Sequence, residues 1–475
     1  MKIDVQSSVA SRRLFDLGKW YGGKTPSKAI DAYWANGTVP WVSPKDMKQP
    51  RILDSEDLIS HRAVRESGIA LVPKGAVLMV IRSGILAHTF PVAISEVPVT
   101  INQDLKAFHP FDDVYAPYVA HFLKCQQRNI LNGCAKGGTT VPSIDTKSLH
   151  DVQVPLPSLK VQRNVVAIID ELFSNLDAGV AALKRAQANL KRYRASVLKA
   201  AVEGRLTEKW RAANPPAEPA AKLLERILAE RRKKWEATQL KKYADAGKPL
   251  PKDWQKKYPE PAAPDVSNLP ELPEGWCWAT VEQVAEIQSG LQKQPSRFPK
   301  INAYPYLRVA NVLRGRLDLN EIHKFELFPG ELERLRLVTG DLLIVEGNGS
   351  ASEIGRCAIW SGEIEDCIHQ NHIIRVRPIL ANSDFVNTYW NSPDGSGRVA
   401  KKAASTSGLY TLSVSKIASI PVPIPLLQEQ AEIVAQVEAA LSKIDHAETE
   451  IKRSLERAAR LRQAILKRAF EGRLI

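Results

Sequence analysis

Residues able to cradle a phosphate stand near the start of the chain. Gly18-Lys19-Trp20-Tyr21-Gly22-Gly23-Lys24-Thr25 satisfies the G-x-x-x-x-G-K-[ST] pattern of a P-loop, whose backbone N–H groups surround phosphates while the lysine neutralises them. Val165-Val166-Ala167-Ile168-Ile169-Asp170-Glu171 looks like the Walker B strand that accompanies such a loop, and the two together describe a P-loop NTPase. The context argues against that alternative. A phosphate loop needs a buried strand before it and a helix starting at the Lys-Thr pair, so that unpaired N–H groups face the anion. Here Arg12-Arg13-Leu14-Phe15-Asp16-Leu17 leads in, bulky Trp20 and Tyr21 fill the loop, and Pro26 follows at once. Val165, Ile169, Leu172 and Leu176 are spaced for one helical face, so Asp170 and Glu171 belong to a helix.

Other candidate chemistry is equally incomplete. Asn214-Pro215-Pro216-Ala217 is similar to the Asn-Pro-Pro-aromatic loop of DNA adenine methyltransferases, but the aromatic that would stack on a flipped base is missing and no Gly-rich cofactor loop accompanies it. His369 and His372, three apart on a predicted strand, would point to opposite faces and make poor metal partners. Cys125, Cys134, Cys277, Cys357 and Cys367 show no C-x-x-C spacing, which suits a reducing compartment and offers no metal site. No Ser-His-Asp or paired-carboxylate arrangement stands out. The expectation is a chain without its own catalytic residues, metal or cofactor.

The elements that would position functional residues are repeated. Residues 143–206 and 411–474 align without a gap at an offset of 268. Lys199-Ala200-Ala201-Val202-Glu203-Gly204-Arg205-Leu206 matches Lys467-Arg468-Ala469-Phe470-Glu471-Gly472-Arg473-Leu474, and Val154-Pro155-Leu156-Pro157 matches Val422-Pro423-Ile424-Pro425. Gln162 meets Gln430, Asp177 meets Asp445 and Arg194 meets Arg462. Within each copy apolar residues recur every seven positions: Ile169, Leu176, Leu183, Leu190 and Val197 in the first, Val437, Ile444, Ile451, Ala458 and Ile465 in the second. That spacing predicts two coiled-coil helices of roughly 40 residues, about 60 Å each, able to pair with one another. Gln187, Arg194, Glu448 and Arg462 interrupt the seam at a cost in stability while restricting register.

Composition sets the remaining bounds. A chain of 475 residues with 44% hydrophobic content can build roughly two to four packed domains. Net charge of +14 favours a polyanionic partner. About half of that excess lies between Lys222 and Lys257, including Arg231-Arg232-Lys233-Lys234, on what reads as a short polar helix in a solvated, Pro-rich linker. Met1–Arg13 has no apolar signal core and no apolar run nears the length of a membrane span, so a cytoplasmic protein without a membrane partner is expected.

Ahead of each helix lie about 150 residues of β-rich runs and Gly-rich turns, and these halves match faintly. Val39-Pro40-Trp41-Val42-Ser43 parallels Tyr304-Pro305-Tyr306-Leu307-Arg308, Gly75–Val80 parallels Gly340–Val345, and Asn102-Gln103 parallels Gln370-Asn371. Leu272-Pro273-Glu274-Gly275-Trp276-Cys277-Trp278 followed by Val284–Gly290 resembles the opening of a target-recognition domain in the DNA specificity subunits of type I restriction-modification systems. Gly22-Gly23-Lys24-Thr25-Pro26-Ser27 is similar to the Gly-Gly-Thr-Pro-Ser turn of those domains with one Lys inserted, and leads on to Tyr33-Trp34 and Pro40–Met47. Val422–Pro425 with Glu429-Gln430, and the closing Lys467–Leu474 phrase, resemble the family's helical regions. The resemblance covers residues 12–474. The first half lacks the Pro-Glu-Gly-Trp phrase, and residues 208–271 are an elaboration.

The resemblance implies an α+β fold: two globular α/β target-recognition domains in a tandem pseudo-repeat, separated by two long antiparallel coiled-coil helices. The domains would be 1–157 and 272–426, the helices 158–207 and 427–475, and the linker 208–271. It also implies a non-catalytic reader of a two-part site in double-stranded DNA, with the helices as a ruler between the parts. Its partners would be two modification subunits using S-adenosylmethionine and restriction subunits using ATP and Mg, docked on the similar ends Glu203–Leu206 and Glu471–Leu474. Chemistry and location then pick DNA-contact candidates. In the first domain these are Lys24, Thr25, Ser43, Lys45, Asp46, Arg82, Ser83, Asn102, Gln103 and the Gly-rich stretch with Lys136, Gly138 and Thr139. In the second they are Arg308, Asn311, Glu346, Asn348, Gln370, Asn371, Lys401, Lys402, Thr406 and Ser407. Several are expected to act as turn formers.

Overall fold

The strand Val77–Val80 is apolar and buried at every position, as expected of a strand covered on both faces. In this computed structural model, which describes residues 10–136, 141–348, 353–403 and 410–474, it lies inside a five-stranded sheet. The order is Gly18–Gly22, Leu105–Pro110, Val77–Val80, Val92–Ser95, Arg51–Ile52. Helix Ala116–Cys125 packs on this sheet through Val119, Phe122 and Leu123. A smaller sheet runs Leu58–Ile59, Val39–Val42, Thr100–Ile101, with Trp41 beside Thr100 and Val42 beside Ile101 in parallel register.

The chain falls into two units, Met1–Ala186 with Glu450–Ile475, and Gln187–Thr449. In the second unit Ala285–Ser289, Ile373–Pro378, Leu342–Val345 and Cys357–Ile359 repeat the order of the first four strands above. His323–Glu326, Ala303–Leu307 and Ile368–His369 repeat the smaller sheet. The faint sequence match between the halves is thus a match of topology. Each half also carries a short antiparallel pair, Ser11–Arg13 with Gln153–Pro155 and Cys277–Thr280 with Pro421–Ile424. Ser11–Arg13 therefore takes the place of the Cys277-Trp278 strand, and the first half opens there without a Pro-Glu-Gly-Trp phrase.

Leu159–Val202 and Leu427–Phe470 are continuous helices of 44 residues each. Both stop at a glycine in the left-handed region, Gly204 at φ 71° and Gly472 at φ 70°. The next N–H reaches back, Arg205 to the Ala200 carbonyl at 2.9 Å and Arg473 to that of Arg468 at 2.8 Å, which satisfies an otherwise unpaired carbonyl. In each unit the two helices pack antiparallel. In the first, Ile169 lies in one core with Leu466 and Ala469, while Asp177 pairs with Arg462, whose guanidinium sits 4.3 Å over the Phe173 ring. In the second, Val197 and Ala201 pack with Ile433 and Val437, and Arg194 pairs with Asp445 and with Glu448 at 3.5 Å. Ile444, Ile451 and Ile465 are buried, while Leu176, Leu183 and Leu190 are half-buried.

The two arginine pairs are the same pair under the repeat, because Arg194 corresponds to Arg462 and Asp445 to Asp177. Arg194, Glu448 and Arg462, read from sequence as costly interruptions, are each paired across the seam, Arg194 with Asp445 and Glu448, and Arg462 with Asp177. Two buried glutamines repeat in the same way. Gln162 donates to the carbonyls of Pro157 at 2.8 Å and Asp113 at 2.9 Å and accepts from Tyr115 N–H at 2.8 Å. Gln430 donates to Pro425 at 2.7 Å and accepts from Asn382 N–H at 2.8 Å. Each ties the start of a long helix to its globular half.

The basic segment corrects the sequence reading. Its helix is not short: Ala220–Asp245 spans 26 residues. Nor is it a solvated linker, since Leu223 and Ile227 enter a core with Val281 and Val284, and Arg231 donates to the Ala285 carbonyl at 2.7 Å. The apolar stripe Ala220, Leu223, Ile227 has helical spacing but is only three residues long, so the surrounding charge hides it.

Glu429 closes this arrangement. Its buried carboxylate accepts from Thr207 Oγ1 at 2.8 Å, from Arg211 Nη1 at 2.5 Å and from Trp276 Nε1 at 2.8 Å. Glu429→Ala would strand three donors, so a loss of about 3 kcal/mol in urea unfolding is expected, with a smaller loss for Glu429→Gln.

Candidate nucleic-acid interface

In the first unit most candidate loops meet at one edge of the strands. Lys24 N–H donates to the Ile101 carbonyl at 2.9 Å, and its own carbonyl accepts from Trp41 Nε1 at 3.0 Å. Thr25 Oγ1 bonds to Gln103 Oε1, and Asn102 N–H reaches the Val42 carbonyl at 2.9 Å. Ser43 continues from Val42, with its N–H and hydroxyl on Asp46 Oδ2 at 2.8 and 2.9 Å. Lys45 lies between Glu56 at 3.1 Å and Asp57 at 3.0 Å, and hydrogen bonding, first to Asp57 and then to Glu56, raises its pKa above the usual lysine value. Arg82 joins through its N–H on the Asp104 carbonyl at 3.2 Å. Ser83 caps the turn Gly84–Ala87, and Lys136 N–H bonds to Ser143, which bridges to Arg82. Gly138 and Thr139 lie outside the described residues.

The second unit builds the same edge from other side chains. Gln370 N–H donates to the Leu307 carbonyl and Asn371 N–H to that of Leu291, both at 2.9 Å. Asn311 is buried and structural: it accepts from Arg308 N–H at 2.8 Å and donates to the carbonyls of Asp318 and Glu321. Arg308 extends to Glu321 at 3.1 Å. Glu346 carries His372 on its carboxylate at 2.9 Å. Asn348 is placed by its backbone pairing with Tyr410, while Thr406 and Ser407 lie outside the described residues. Lys401 and Lys402 do not join this group. With Arg398 they line a groove beside Thr280, which precedes the strand Ala285–Ser289, and its strand partner Pro421, whereas Asn371 meets the far end of that strand at Ser289.

Two glycines make these edges possible. A Cβ on Gly23 would sit 1.6 Å from the Asn102 carbonyl oxygen, and one on Gly290 would sit 2.1 Å from that of His369. Sequence reasoning missed Gly290 and the Glu346–His372 pair. The position of Gly290 at the repeat equivalent of Gly23 was the available signal. His369 and His372 do not share a strand, because Ile368–His369 ends and a turn intervenes before Ile373–Pro378. His369 is fully buried, and its Nδ1 meets the Ile373 carbonyl at 2.9 Å, so that nitrogen carries the proton. Burial, and then the nearby Arg375 charge, pushes its pKa down to about 4.

The phosphate-loop geometry is absent. Gly18–Gly22 is a strand paired with Leu105–Pro110, no helix starts at Lys24-Thr25, and Lys24 Nζ is held by the Ser67 carbonyl at 2.6 Å. Asp170 lies within the helix Leu159–Val202 and bonds to His121 at 3.0 Å, which lowers its pKa. Among the described residues no cluster of three or more His, Cys, Asp or Glu could hold a metal, and no helix is long and apolar enough to cross a membrane.

Comparison with known proteins agrees with this repeat. The model of the type I restriction modification DNA specificity domain matches residues 6–184 and again 273–457. The specificity subunit of the type I restriction enzyme EcoR124I/EcoR124II of Escherichia coli is 39% identical over 166 residues, which cover 35% of this chain and 41% of that protein. The EcoKI specificity subunit of Escherichia coli strain K12 is 27% identical over 365 residues, 76% of this chain and 66% of that one. The chain thus spans less than two thirds of either relative. Two solved structures share the fold along nearly the whole length. A chain from a study of complex assembly and conformational transition in a type I R-M system has TM-score 0.67 at 15% identity, covering 98% of this chain and 99% of that one. The HsdS subunit from Thermoanaerobacter tengcongensis has TM-score 0.53 at 16% identity, covering 99% and 98%.

Two outcomes are expected. Gly290→Ala should force the strand edge apart and cost more than about 2 kcal/mol in urea unfolding, whereas alanine at Gly315, a turn glycine at φ 74° with open space around it, should cost less. Folded His369 stays neutral to about pH 4, whereas the unfolded residue takes a proton near 6.5. Its stabilising contribution is therefore present above pH 6.5 and is lost as pH falls toward 4. Between pH 7 and pH 5 the protein should lose about 2 kcal/mol that a His369→Asn variant does not lose.

Proposed function

This chain belongs to the type I restriction modification DNA specificity family, and we propose that it is the non-catalytic subunit that selects where such a complex acts on duplex DNA. Each globular half reads one part of a two-part site. The observation that carries this reading is a shared frame with unlike tips: the strand edge that bears Lys24, Thr25, Ser43, Asn102 and Gln103 in one half bears Arg308, Gln370, Asn371 and Glu346 in the other. Frames of the same strand order present a duplex in the same way, and different side chains distinguish different base edges, while Lys and Arg on phosphates set affinity and salt dependence.

The recognition domains are residues 1–157 and 272–426, and the helical segments 158–207 and 427–475 set the number of unread base pairs between the two parts. The similar ends Glu203–Leu206 and Glu471–Leu474 dock two modification subunits, which supply S-adenosylmethionine-dependent adenine methylation. Restriction subunits supply ATP- and Mg-dependent cleavage of DNA in the cytoplasm. Repeated docking phrases support that stoichiometry, since two equal surfaces take two equal partners.

Exchanging residues 1–157 for the equivalent half of another family member tests the reading. In cells carrying the matching modification subunit, methylated adenines should map to a site changed in one part and retained in the other. Methylation that keeps its original sequence after the exchange would sink the assignment.

A further inference from the structure

Twelve Lys and Arg against five acids lie between Lys222 and Lys257, half of the chain's net +14 in a short stretch. Charge of this density on a loose linker would mean little, but here it is mounted on a folded lobe. The helix Ala220–Asp245 is anchored at its start by Leu223 and Ile227 in the core. Along its length Lys234 pairs with Glu286 at 3.3 Å and Lys241 with Glu333 at 3.2 Å. Beyond the helix the chain turns back, so that Trp254 stacks on Trp235 with ring centres 5.8 Å apart and Tyr258 meets the same ring edge-on at 5.3 Å. Arg232 covers Tyr258 at 5.5 Å.

The cations of this lobe divide into two sets. Those along the helix are engaged, Arg226 and Lys234 by carboxylates and Arg231 by the Ala285 carbonyl. Lys242, Lys248, Lys252 and Lys257 are exposed at the helix end and on the returning loop, and none has a carboxylate partner among the described residues. Four uncompensated ammonium groups on a compact lobe repel one another, and an array of fixed anions relieves that repulsion best. The lobe meets Ala285 and Glu286 at the start of the edge strand Ala285–Ser289, whose far end bonds to Asn371, and it reaches Glu333 through Lys241.

We propose that this lobe is a phosphate clamp: Lys242, Lys248, Lys252 and Lys257 grip the sugar-phosphate backbone of duplex DNA flanking the part of the site read by the second half, without reading sequence. The inference rests on the DNA-reading role above. Point-like, strongly hydrated lysine charges suit phosphates without base discrimination, whereas bidentate base readout favours arginine. The clamp adds affinity and salt dependence and leaves specificity to the strand-edge loops.

The test replaces all four lysines by glutamine in the full chain assembled with its modification subunit. Binding is measured against salt on a duplex carrying the mapped methylation site and on a random-sequence duplex. Loss of the clamp should reduce the slope of log affinity against log salt by between about 1 and about 4, and weaken both duplexes by the same factor. The methylated sequence should not change, and a fourfold Lys→Arg variant should restore the slope. An unchanged slope in a variant that still methylates its site would overturn the clamp while leaving the reading role intact. Unchanged DNA binding with loss of the modification subunit on gel filtration would assign the lobe to an acidic protein surface, and would equally overturn it. If the unaltered complex bound neither duplex in a salt-dependent way, the reading role itself would fail.

Discussion

The pairing of the two long helices is the constraint on which the other elements depend. Neither helix is apolar enough to be buried alone, since each carries only a narrow stripe, and an isolated amphipathic helix gains little in water. Packed antiparallel within each unit, they bury Ile169 against Leu466 and Ala469, and Val197 against Ile433 and Val437. The arginine–aspartate pairs add less energy than this apolar contact, because their partners are largely exposed and such pairs contribute about 0–1 kcal/mol. Their value is directional. An arginine meets its aspartate in one register only, and the repeat places the same demand in both units.

On that support each half builds the same sheet order from divergent sequence. Positions such as Val77–Val80 and Leu342–Val345 must be apolar on both faces, whereas the loops leaving the strand edges are free to differ. Gly23 and Gly290 sit at the border between the two regimes. They are conformationally free, but here the requirement is space: the backbone of one loop lies against the carbonyls of the next strand end. Such a frame lets side chains such as Lys24 and Gln370 change without moving the strands beneath them.

Much of this was legible in the residues, for physical reasons. A heptad stripe sustained over many turns has few alternative structures, so the helices and their seam could be read directly. The phosphate loop is excluded by its lead-in Arg12–Leu17, by bulky Trp20 and Tyr21 within it and by Pro26 after it. Less could be read where a side chain's task depends on the conformation that its own loop adopts. Asn311, Ser43 and Asp46 are engaged with nearby backbone or with each other, and Lys401 and Lys402 line a groove apart from the strand edge that gathers the other candidates. The packed helix Ala220–Asp245 was hidden because three apolar residues suffice to anchor it among eight cations. Local composition reports the majority of a surface, while docking is decided by the minority that touches.

The buried amides of Gln162 and Gln430 have a practical consequence. They fasten each helix to its globular half with neutral groups, which neither titrate nor attract counter-ions. Concentrated electrolyte has no purchase on such a joint, whereas it screens the exposed arginine–aspartate pairs of the seam. A salt wash that screens the exposed charges would leave this joint in place.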